Sequence, residues 1–452
     1  MKKYMLCFIG SGAACHFVIN NIIKQNFPLI NDTVIHIFEK NIHPYGLIRS
    51  GIAPDHQYMK TSLQSMINNN LKTYKNNIHF FGNCPITNIT PLLNIYSAIF
   101  ISNGAQHDNQ LHITTNINKL SHIYPSSKVT SWYNCDINTT NTIHANNNSS
   151  NIVIIGNGNV ALDIARVLAV KRIKYLKHLD ISEERLVDMN KIKKNISNVF
   201  IVGRRGIEHS AFNVHQLREF KKSVVDNGWN IHIDNNDIKC ISHITKSRKL
   251  NLLKSNVNTF NSYHYNTFNK THLHTSNNIY FLYNYTPNII TYNNILRCNV
   301  IKFINRHNHN NIIEIPANMI ITSIGRNTIN NIPKYNNNIN NDSNSNSNSN
   351  NNYQNIFKVG WCNTNAKGNI TSTLSDANDV YSKFISHINS HKVNKRPFLT
   401  PSEILYYIGI SNRKIISYKE WNIIDRTELR EGKALNKIRE KIISKSKMLS
   451  LV

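Results

Sequence analysis

The first forty residues alternate between a strand pattern and a helix pattern. Met5 to Ile9 form an apolar run, Gly10-Ser11-Gly12 follow as a turn, and residues 13–25 carry apolar positions at helical spacing. A second apolar run from Val34 to Phe38 ends at Glu39. A strand, a Gly-rich turn, a helix and a strand in this order predict a βαβ unit with a parallel sheet.

The same order of elements returns in the middle of the chain. The apolar run 151–155 leads into Gly156-Asn157-Gly158, and a helix is expected from about Val160 to Val170. A long basic helical stretch over 171–197 then precedes a strand over 198–202, which ends at Gly203-Arg204-Arg205-Gly206 rather than at an acid. Two such units in tandem predict two dinucleotide sites side by side.

Two further apolar runs, 98–105 and 319–325, each end in a Gly-containing turn, and we expect the chain to leave and re-enter one domain there. The predicted fold is α/β with two Rossmann-like dinucleotide-binding domains, the second inserted into a split first domain. The predicted boundaries are 1–105 and 329–452 for the halves of the first domain and 106–328 for the second. An Asn-rich segment at about 255–311 is interpreted as an insertion in the second domain. The Asn/Ser tract 335–352 is expected to be disordered, because it has too little apolar surface to offset its ordering entropy.

The first Gly-rich loop has the features of a pyrophosphate site. Gly10 permits the turn and Gly12 permits close approach to the amino terminus of the following helix, which attracts anions. Cys15 stands where a third Gly or Ala is usual. Glu39 is placed to accept hydrogen bonds from a ribose diol and to repel a 2′-phosphate, so this unit should bind FAD or NAD but not NADP. By itself, an acid at a strand end could equally be a solvated surface charge.

The second loop has Ala161 at the third small position, and its next strand ends in Arg204 and Arg205. Two guanidinium groups at the ribose end of the site match a 2′-phosphate dianion, which each can bind in a bidentate manner. In a chain of net charge +27, an Arg pair could also be ordinary surface charge. Its position directly after the strand favours NADPH.

The net charge raises the possibility of nucleic-acid binding, but the basic residues are spread along the chain and no nucleic-acid-binding motif is present. The seven cysteines include no C-x-x-C pair, so no redox disulfide, iron–sulfur cluster or metal site is expected. No apolar run reaches the roughly 18 residues that cross a bilayer. The first strand begins almost at Met1, so we expect either cryptic targeting or an internal start.

Taken together, these motifs resemble the adrenodoxin reductase family, the mitochondrial NADPH–ferredoxin oxidoreductases, nearly from end to end. More distantly, the chain is similar to the small subunit of glutamate synthase and related flavin reductases. The matching stretches are residues 10–12, 44–49, 51–56, 158–166, 203–206, 217–219 and 359–361, with the segment around Trp421.

The resemblance implies two cofactors, FAD and NADP, and a relay in which NADPH gives a hydride to the flavin, which then passes single electrons to a 2Fe–2S ferredoxin. The FAD contacts it implies, with the loop glycines, are Gly10, Gly12, Ala14, Glu39, Leu47, Cys84, Trp361, Gly368, Asn369 and Ile370. Those it implies for NADP are Asn157, Gly158, Asn159, Val160, Arg204, Arg205, Glu219 and Gly368. Gly368 is expected where nicotinamide stacks against flavin, a place that excludes a side chain.

His56 and Asp163 are expected near the flavin in supporting roles, because hydride transfer itself needs no general base. His56 could also be a loop histidine with satisfied hydrogen bonds, and Trp361 an ordinary core residue. The chain departs from the family at Cys15, at Ser50 in place of an aromatic residue, and over 362–367, where a Lys-Arg-Gly-Pro-Thr sequence is lost. These departures affect the expected turnover more than the expected binding of FAD.

An acidic ferredoxin requires a basic docking surface on its reductase. The candidates are Arg218, Lys221 and Lys222 on one expected helix and Lys246, Arg248 and Lys249 in the following segment, where the family places docking arginines. The resemblance also implies a monomer on the matrix side of mitochondria, with peripheral contact to the inner membrane as one option. Iron–sulfur cluster assembly and haem-related electron transfer are the downstream pathways that it implies.

Three other functions stay open at this point. An NADPH diaphorase would reduce a quinone or flavodoxin and show no ferredoxin preference. A flavin monooxygenase would consume NADPH together with oxygen and an organic substrate. A basic nucleic-acid-binding protein is the third alternative, and it would bind no flavin.

Overall fold

The computed structural model describes residues 2–25, 30–115, 120–139, 142–234, 248–254, 258–260, 277–328, 355–390, 392–409 and 413–452. The expected disordered tract 335–352 and Lys246 lie outside these residues. The strands are β1 (Lys2–Ile9), β2 (Thr33–Phe38), β3 (Ile78–Phe81), β4 (Ala98–Ile101), β5 (His107–Asp108), β6 (Thr114–Thr115), β7 (Ile123–Pro125), β8 (Asn151–Ile155), β9 (Asn198–Val202), β10 (Asn230–Asp234), β11 (Asn258–Phe260), β12 (Asn278–Leu282), β13 (Tyr285–Asn293), β14 (Cys298–Asn305), β15 (Ile312–Ala317), β16 (Met319–Thr322), β17 (Arg326–Asn327), β18 (Ile356–Lys358) and β19 (Arg396–Pro397).

The helices are α1 (Ala13–Lys24), α2 (Leu47–Ser50), α3 (Gln57–Thr73), α4 (Ser126–Tyr133), α5 (Asn159–Ala165), α6 (Ile173–Leu176), α7 (Glu183–Lys193), α8 (Val214–Asp226), α9 (Arg248–Lys254), α10 (Trp361–Thr364), α11 (Ile370–Asn389), α12 (Pro401–Ile408), α13 (Tyr418–Ala434) and α14 (Lys445–Ser450). A π-helical turn, Arg166–Val170, extends α5, and short 3₁₀ turns lie at Ile30–Asp32, Thr90–Leu92 and Ile207–His209.

Two parallel sheets form the centre of the structure. The first has the order β18-β4-β1-β2-β3, with β19 antiparallel to the start of β1. The second has the order β11-β10-β12-β9-β8-β16-β7. The strands β2, β4, β8, β9 and β12 are mostly apolar and buried along their whole length, as the middle of a parallel sheet covered on both faces requires. The predicted α/β fold with two Rossmann-like units is confirmed.

The chain passes from the first sheet to the second after β4 and returns before β18. Between these points, β5 and β17 pair antiparallel, with Arg326 opposite Asp108 and Asn327 opposite His107. The outgoing and returning segments are therefore joined side by side. A four-stranded sheet, β15-β14-β13-β6, packs through its apolar residues against the second parallel sheet.

The interpretation of 255–311 as an insertion is wrong for the described part of that segment. β12 lies between β10 and β9 in the second sheet, all of its residues are buried, and β13 and β14 form a hairpin beyond it. Asn residues here are structural: the amide of Asn278 donates to Asn198, and that of Asn198 donates to Asn151. This ladder satisfies buried amides across three strands.

The prediction of one long basic helical stretch over 171–197 is also wrong. The structure divides this stretch into α6 and α7, and Ser182 caps α7 by accepting from the backbone of Arg185. The Nζ of Lys193 is buried and donates to the carbonyl oxygens of Val167 and Ala169, at 2.8 Å and 3.3 Å. A basic residue therefore satisfies the carbonyls of the π-helical turn instead of facing solvent.

A buried ion cluster joins three distant segments. The carboxylate of Asp180, before α7, lies 2.8 Å from the Nζ of Lys60 in α3 and 2.8 Å from the Nζ of Lys441, before α14. Burial lowers the pKa of Lys60 to about 7 although Asp180 opposes the shift, and Lys441 and Lys60 hold the pKa of Asp180 far below its usual range against burial. The cluster therefore links Asp180, in the unit of the second sheet, to Lys60 and Lys441, which lie in the two halves of the unit of the first sheet.

Replacing Asp180 by Asn should destabilise the protein by about 3–5 kcal/mol, because it leaves two buried ammonium groups without a counter-charge. Equilibrium urea denaturation measures this change. Glu314→Gln, which removes a partly exposed carboxylate from the partly exposed Lys302, is the control and should cost about 1 kcal/mol or less. Equal losses in the two variants would contradict the assignment of Asp180 as a tie between the units.

Candidate dinucleotide sites

The first Gly-rich loop connects β1 to α1. Gly10 has φ +99°, and a Cβ there would lie 2.7 Å from the carbonyl oxygen of Ser102, just after β4. Gly12 caps α1, and a Cβ there would meet nothing within 4 Å. The loop is therefore pressed against the neighbouring strand while open space remains above the helix N-terminus, where an anion binds most favourably.

Glu39 lies directly beside this loop. Its carboxylate is buried and accepts from the backbone N–H groups of Ser11 and Asn41, at 2.8 Å and 2.9 Å. Burial raises the pKa of Glu39, although both backbone hydrogen bonds oppose the shift. Each carboxylate oxygen keeps further acceptor capacity that a diol could use, and the ribose role of Glu39 stays a prediction.

A second helix N-terminus approaches the same loop. Gly360 precedes α10 with φ +71°, and a Cβ there would lie 2.5 Å from the Cβ of Ala14 in α1. Asn369 caps α11 in a reciprocal capping box with Ser372. Trp361, the first residue of α10, is half-buried. A Cβ at Gly360 would also lie 3.5 Å from Cγ2 of Thr373 in α11, so the starts of α1 and α11 meet at Gly360.

The remaining residues expected at this site differ in exposure. Leu47 starts α2 with 41% of its surface exposed, beside Gly46, where a Cβ would lie 3.0 Å from the Cα of Gly12. The Cys84 thiol is buried in the core, and only its backbone N–H reaches the site's edge, donating to the carbonyl of Glu39. Cys15 is fully buried and so provides the small side chain that close packing of α1 requires.

The segment 361–370 has an unusual backbone. Asn365, Ala366 and Gly368 have φ of +50°, +59° and +98°. Gly368 is required locally, because a Cβ there would overlap the hydroxyl of Ser372. Ala366 has no such freedom, and a left-handed conformation is uncommon for a residue with a Cβ. The departure from the family over 362–367 therefore coincides with local strain next to Ile370 and α11.

The second loop repeats the geometry of the first. Gly156 has φ +125°, and a Cβ there would overlap the carbonyl oxygen of Ser323, just after β16. Gly158 caps α5, and a Cβ there would meet only the Cβ of Ala211, at an ordinary contact distance of 3.8 Å. The two similar strand endings seen in the sequence thus have the same role, since each holds the first glycine of a loop.

Asn157 and Asn159 fasten the second loop to the turn after β9. The carbonyl of Asn157 accepts from the backbone of Ala211, and the side chain of Asn159 accepts from the backbone N–H of Asn213 at 3.1 Å. Val160, the next residue of α5, is partly exposed at 38%. Arg204 and Arg205 lie exposed on this turn, so the loop and the Arg pair face the same edge of the sheet.

A polar cluster joins the two units at the start of α3. The guanidinium of Arg166 binds Asp55 through two bonds, Nε–Oδ2 at 2.5 Å and Nη2–Oδ1 at 3.0 Å. Its Nη2 also lies 2.8 Å from Asp163 and 2.9 Å from Nε2 of His56. The same nitrogen of His56 lies 2.9 Å from the carboxylate of Glu219 in α8.

The cluster shifts several protonation equilibria. Burial, the largest cause, and the charge of Arg166 lower the pKa of His56, but the hydrogen bond with Glu219 and the charges of Asp163 and Asp55 together outweigh them, so the net shift is upward. Burial raises the pKa of Asp163 although Arg166 opposes the shift, whereas Arg166 overcomes burial at Asp55 and lowers its pKa. The structure therefore brings Glu219, which was expected at NADP, to the pair His56 and Asp163, which was expected near the flavin. The sequence did not identify Arg166 and Asp55 as the centre of this polar cluster, although both lie in the stretches that carry the resemblance.

An open cleft of about 480 Å³ lies over this cluster. Its lining includes His56, Tyr58, Arg218, Glu219 and Lys222. Among the docking candidates, Arg218, Lys222 and Arg248 are exposed. Two other docking candidates form hydrogen bonds within the structure: Lys221 donates to the carbonyl of Leu252 and Lys249 to that of Ser210, each at 2.6 Å.

In the part of the chain that the structure describes, no helix has the length and apolarity needed to cross a membrane. Among the same residues, no group of three or more His, Cys, Asp or Glu side chains is arranged to hold a metal ion.

Comparison with known proteins places these features in context. The chain is 31% identical over 229 residues to the mitochondrial NADPH:adrenodoxin oxidoreductase of Drosophila melanogaster, and the match spans 46% of that protein. The chain thus spans less than half the length of the curated mitochondrial relatives in these matches. It is 24% identical to the NADPH-ferredoxin reductase FprA of Mycobacterium tuberculosis, with 100% of this chain and 99% of FprA covered. No protein-family model matches.

The fold agrees with these relatives. The structure of FprA in complex with NADPH superimposes with a TM-score of 0.78 at 22% identity and covers 99% of both chains. A variant of FprA gives a TM-score of 0.80 over the same share. The chain is therefore a homologue of the NADPH:adrenodoxin oxidoreductases and of FprA, and the resemblance inferred from its motifs is confirmed.

Proposed function

We propose that the chain is an FAD-dependent NADPH–ferredoxin reductase. The observation that carries the proposal is the difference between two loops of the same geometry: a buried acid, Glu39, stands beside the first, and an exposed pair, Arg204 and Arg205, stands beside the second. An acid disfavours a 2′-phosphate and two guanidinium groups favour it. The first loop is thus suited to FAD and the second to NADP.

The residues present fit both cofactors. At each loop, the first glycine cannot carry a Cβ and the second leaves the helix N-terminus open, as a pyrophosphate requires. Glu39 would hold the ribose of FAD, and the arginines would hold the 2′-phosphate of NADP. Bound FAD would supply the conversion between hydride transfer and single-electron transfer.

His56 holds a proton at the cleft between the units. When Nε2 carries the proton, it donates to Glu219, and when Nε2 is deprotonated, it accepts from Nη2 of Arg166. Both protonation states therefore have a partner at 2.9 Å without movement of the ring. Arg166 also keeps Asp55 and Asp163 in place, which fixes the charge around the imidazole.

Partner, pathway and location belong to the same proposal. The exposed cations Arg218, Lys222 and Arg248 support docking of an acidic 2Fe–2S ferredoxin, with iron–sulfur cluster assembly or haem-related electron transfer downstream. A mitochondrial matrix location and a monomeric state are proposed from the resemblance. Cell fractionation with a matrix marker tests the first and sedimentation tests the second.

The function is tested by cytochrome c reduction with NADPH or NADH, each with and without a mitochondrial-type 2Fe–2S ferredoxin. We expect strong rates only with NADPH and ferredoxin together. NADPH-driven reduction that ignores ferredoxin would instead identify a diaphorase. A colourless protein without activity would contradict the proposal as a whole.

Arg248→Glu should lower the ferredoxin-dependent rate about tenfold at low ionic strength, and less at high salt, because it reverses a charge at the docking surface. NADPH-dependent ferricyanide reduction should stay unchanged. Lys72→Glu, the same charge reversal on the exposed side of α3, is the control and should leave both rates intact. Equal loss in both assays would rule out the docking role.

Glu219→Gln should lower the pKa of His56 below its ordinary value, because the substitution removes the carboxylate charge from the largest of the contacts that together outweigh burial. Less imidazolium would then be present near neutral pH. An NMR titration of His56 measures the shift, with Asp226→Asn on the exposed face of α8 as the control. An unchanged His56 pKa in Glu219→Gln would show that the 2.9 Å contact does not govern its protonation.

A further inference from the structure

Arg306 lies beside the Arg pair, although the chain separates them widely. It directly follows β14, and its backbone N–H donates to the carbonyl of Asn284 at 2.7 Å. Its Nη1 donates to the backbone carbonyl of Arg204 at 3.1 Å. Backbone and side chain are therefore both held at the turn that follows β9.

The surrounding hydrogen bonds explain this placement. The N–H of Gly203 donates to the carbonyl of Leu282 at 2.8 Å, and the N–H of Tyr285 donates back to the carbonyl of Gly203 at 3.1 Å. The end of β12 is thus fixed against the end of β9, and Arg306 is fixed against the residue between β12 and β13. This is the carboxyl edge of the sheet, where open α/β folds bind their ligands.

The guanidinium of Arg306 has donors to spare. It is exposed, and a guanidinium has five N–H groups, of which the bond to Arg204 uses one. Arg306, bound to the turn that carries the exposed Arg204 and Arg205, adds a third positive charge there, and like charges close together repel each other unless an anion lies between them. The carboxylate of Glu208 on this turn is directed towards His209, at 3.5 Å. A dianionic phosphate would offset the repulsion and accept from several guanidinium groups.

We propose that Arg306 is a third guanidinium of the adenosine 2′-phosphate subsite and contributes to the choice of NADPH over NADH. This inference rests on the proposed binding of NADP at the second loop. Arg306, which follows the β13–β14 hairpin, would thus join Arg204 and Arg205, which follow β9, as a residue that determines cofactor specificity. Sequence reasoning missed it because Arg306 falls in the segment that was interpreted as an insertion.

The test is isothermal titration of the purified chain with adenosine 2′,5′-bisphosphate and with 5′-AMP, which differ only in the 2′-phosphate. Arg306→Gln should weaken binding of the bisphosphate about tenfold and leave 5′-AMP unchanged, since it removes charge-assisted hydrogen bonds to one phosphate. Arg306→Lys should restore part of the affinity by retaining the charge. The readout is binding, so it does not depend on turnover.

Arg297→Gln is the matched control, because Arg297 is exposed and precedes the same strand β14 at its opposite end. It should bind both nucleotides as the wild type does. Equal weakening in Arg306→Gln and Arg297→Gln would show a general effect of charge and overturn the inference. So would unchanged affinity in Arg306→Gln, or equal weakening for both nucleotides.

The wild-type chain separates this inference from the proposed function. A wild type that does not prefer the bisphosphate over 5′-AMP would contradict NADP binding itself. A wild type that prefers it, together with an Arg306→Gln variant that binds the bisphosphate as tightly, would overturn the role of Arg306 alone. Circular dichroism of each variant confirms folding, and Arg306→Lys keeps the test decisive if the Gln variant does not fold.

Discussion

The bidentate contact between Arg166 and Asp55 holds the two dinucleotide sites in one arrangement. Arg166 extends from the unit of the second loop, whereas Asp55 belongs to the unit of the first, and both side chains are almost completely buried. A buried guanidinium does not lose its proton, so its charge has to be balanced by carboxylates, here those of Asp55 and Asp163. The Asp180 cluster provides a second buried link between the two units. The relative position of the two loops therefore depends on buried ion pairs between the units.

Within that frame, the loops differ in charge rather than in shape. Gly10 packs against the carbonyl of Ser102 and Gly156 against that of Ser323, so both loops have the same backbone arrangement. We propose that Glu39 and the Arg204–Arg205 pair then select different nucleotides. A repeated unit with opposite charges at its ribose end is a simple way to place two cofactors in order. His56 lies where the two units meet and has a hydrogen-bond partner in either protonation state.

The sequence predicted what depends on neighbouring residues. Both Gly-rich turns, Glu39 and the Arg pair could be recognised because their chemistry follows directly from a strand end. Contacts between distant segments could not: Arg166 and Asp55 are 111 positions apart and Asn198 and Asn278 are 80 apart. The Asn-rich composition also led to a wrong prediction. The same residue type lowers the apolar content of the tract 335–352 and forms a buried hydrogen-bond ladder across β8, β9 and β12. Composition alone cannot separate these two uses.

The most direct test of this account is an anaerobic titration of the purified protein with NADPH and, separately, with NADH, followed by the absorbance of bound flavin. The account predicts a yellow protein that releases FAD on denaturation, loses its flavin absorbance with nearly stoichiometric NADPH and responds only weakly to NADH. A protein without flavin would contradict the assignment of the first loop. Equal reduction by NADH would contradict the role of the arginines at the second.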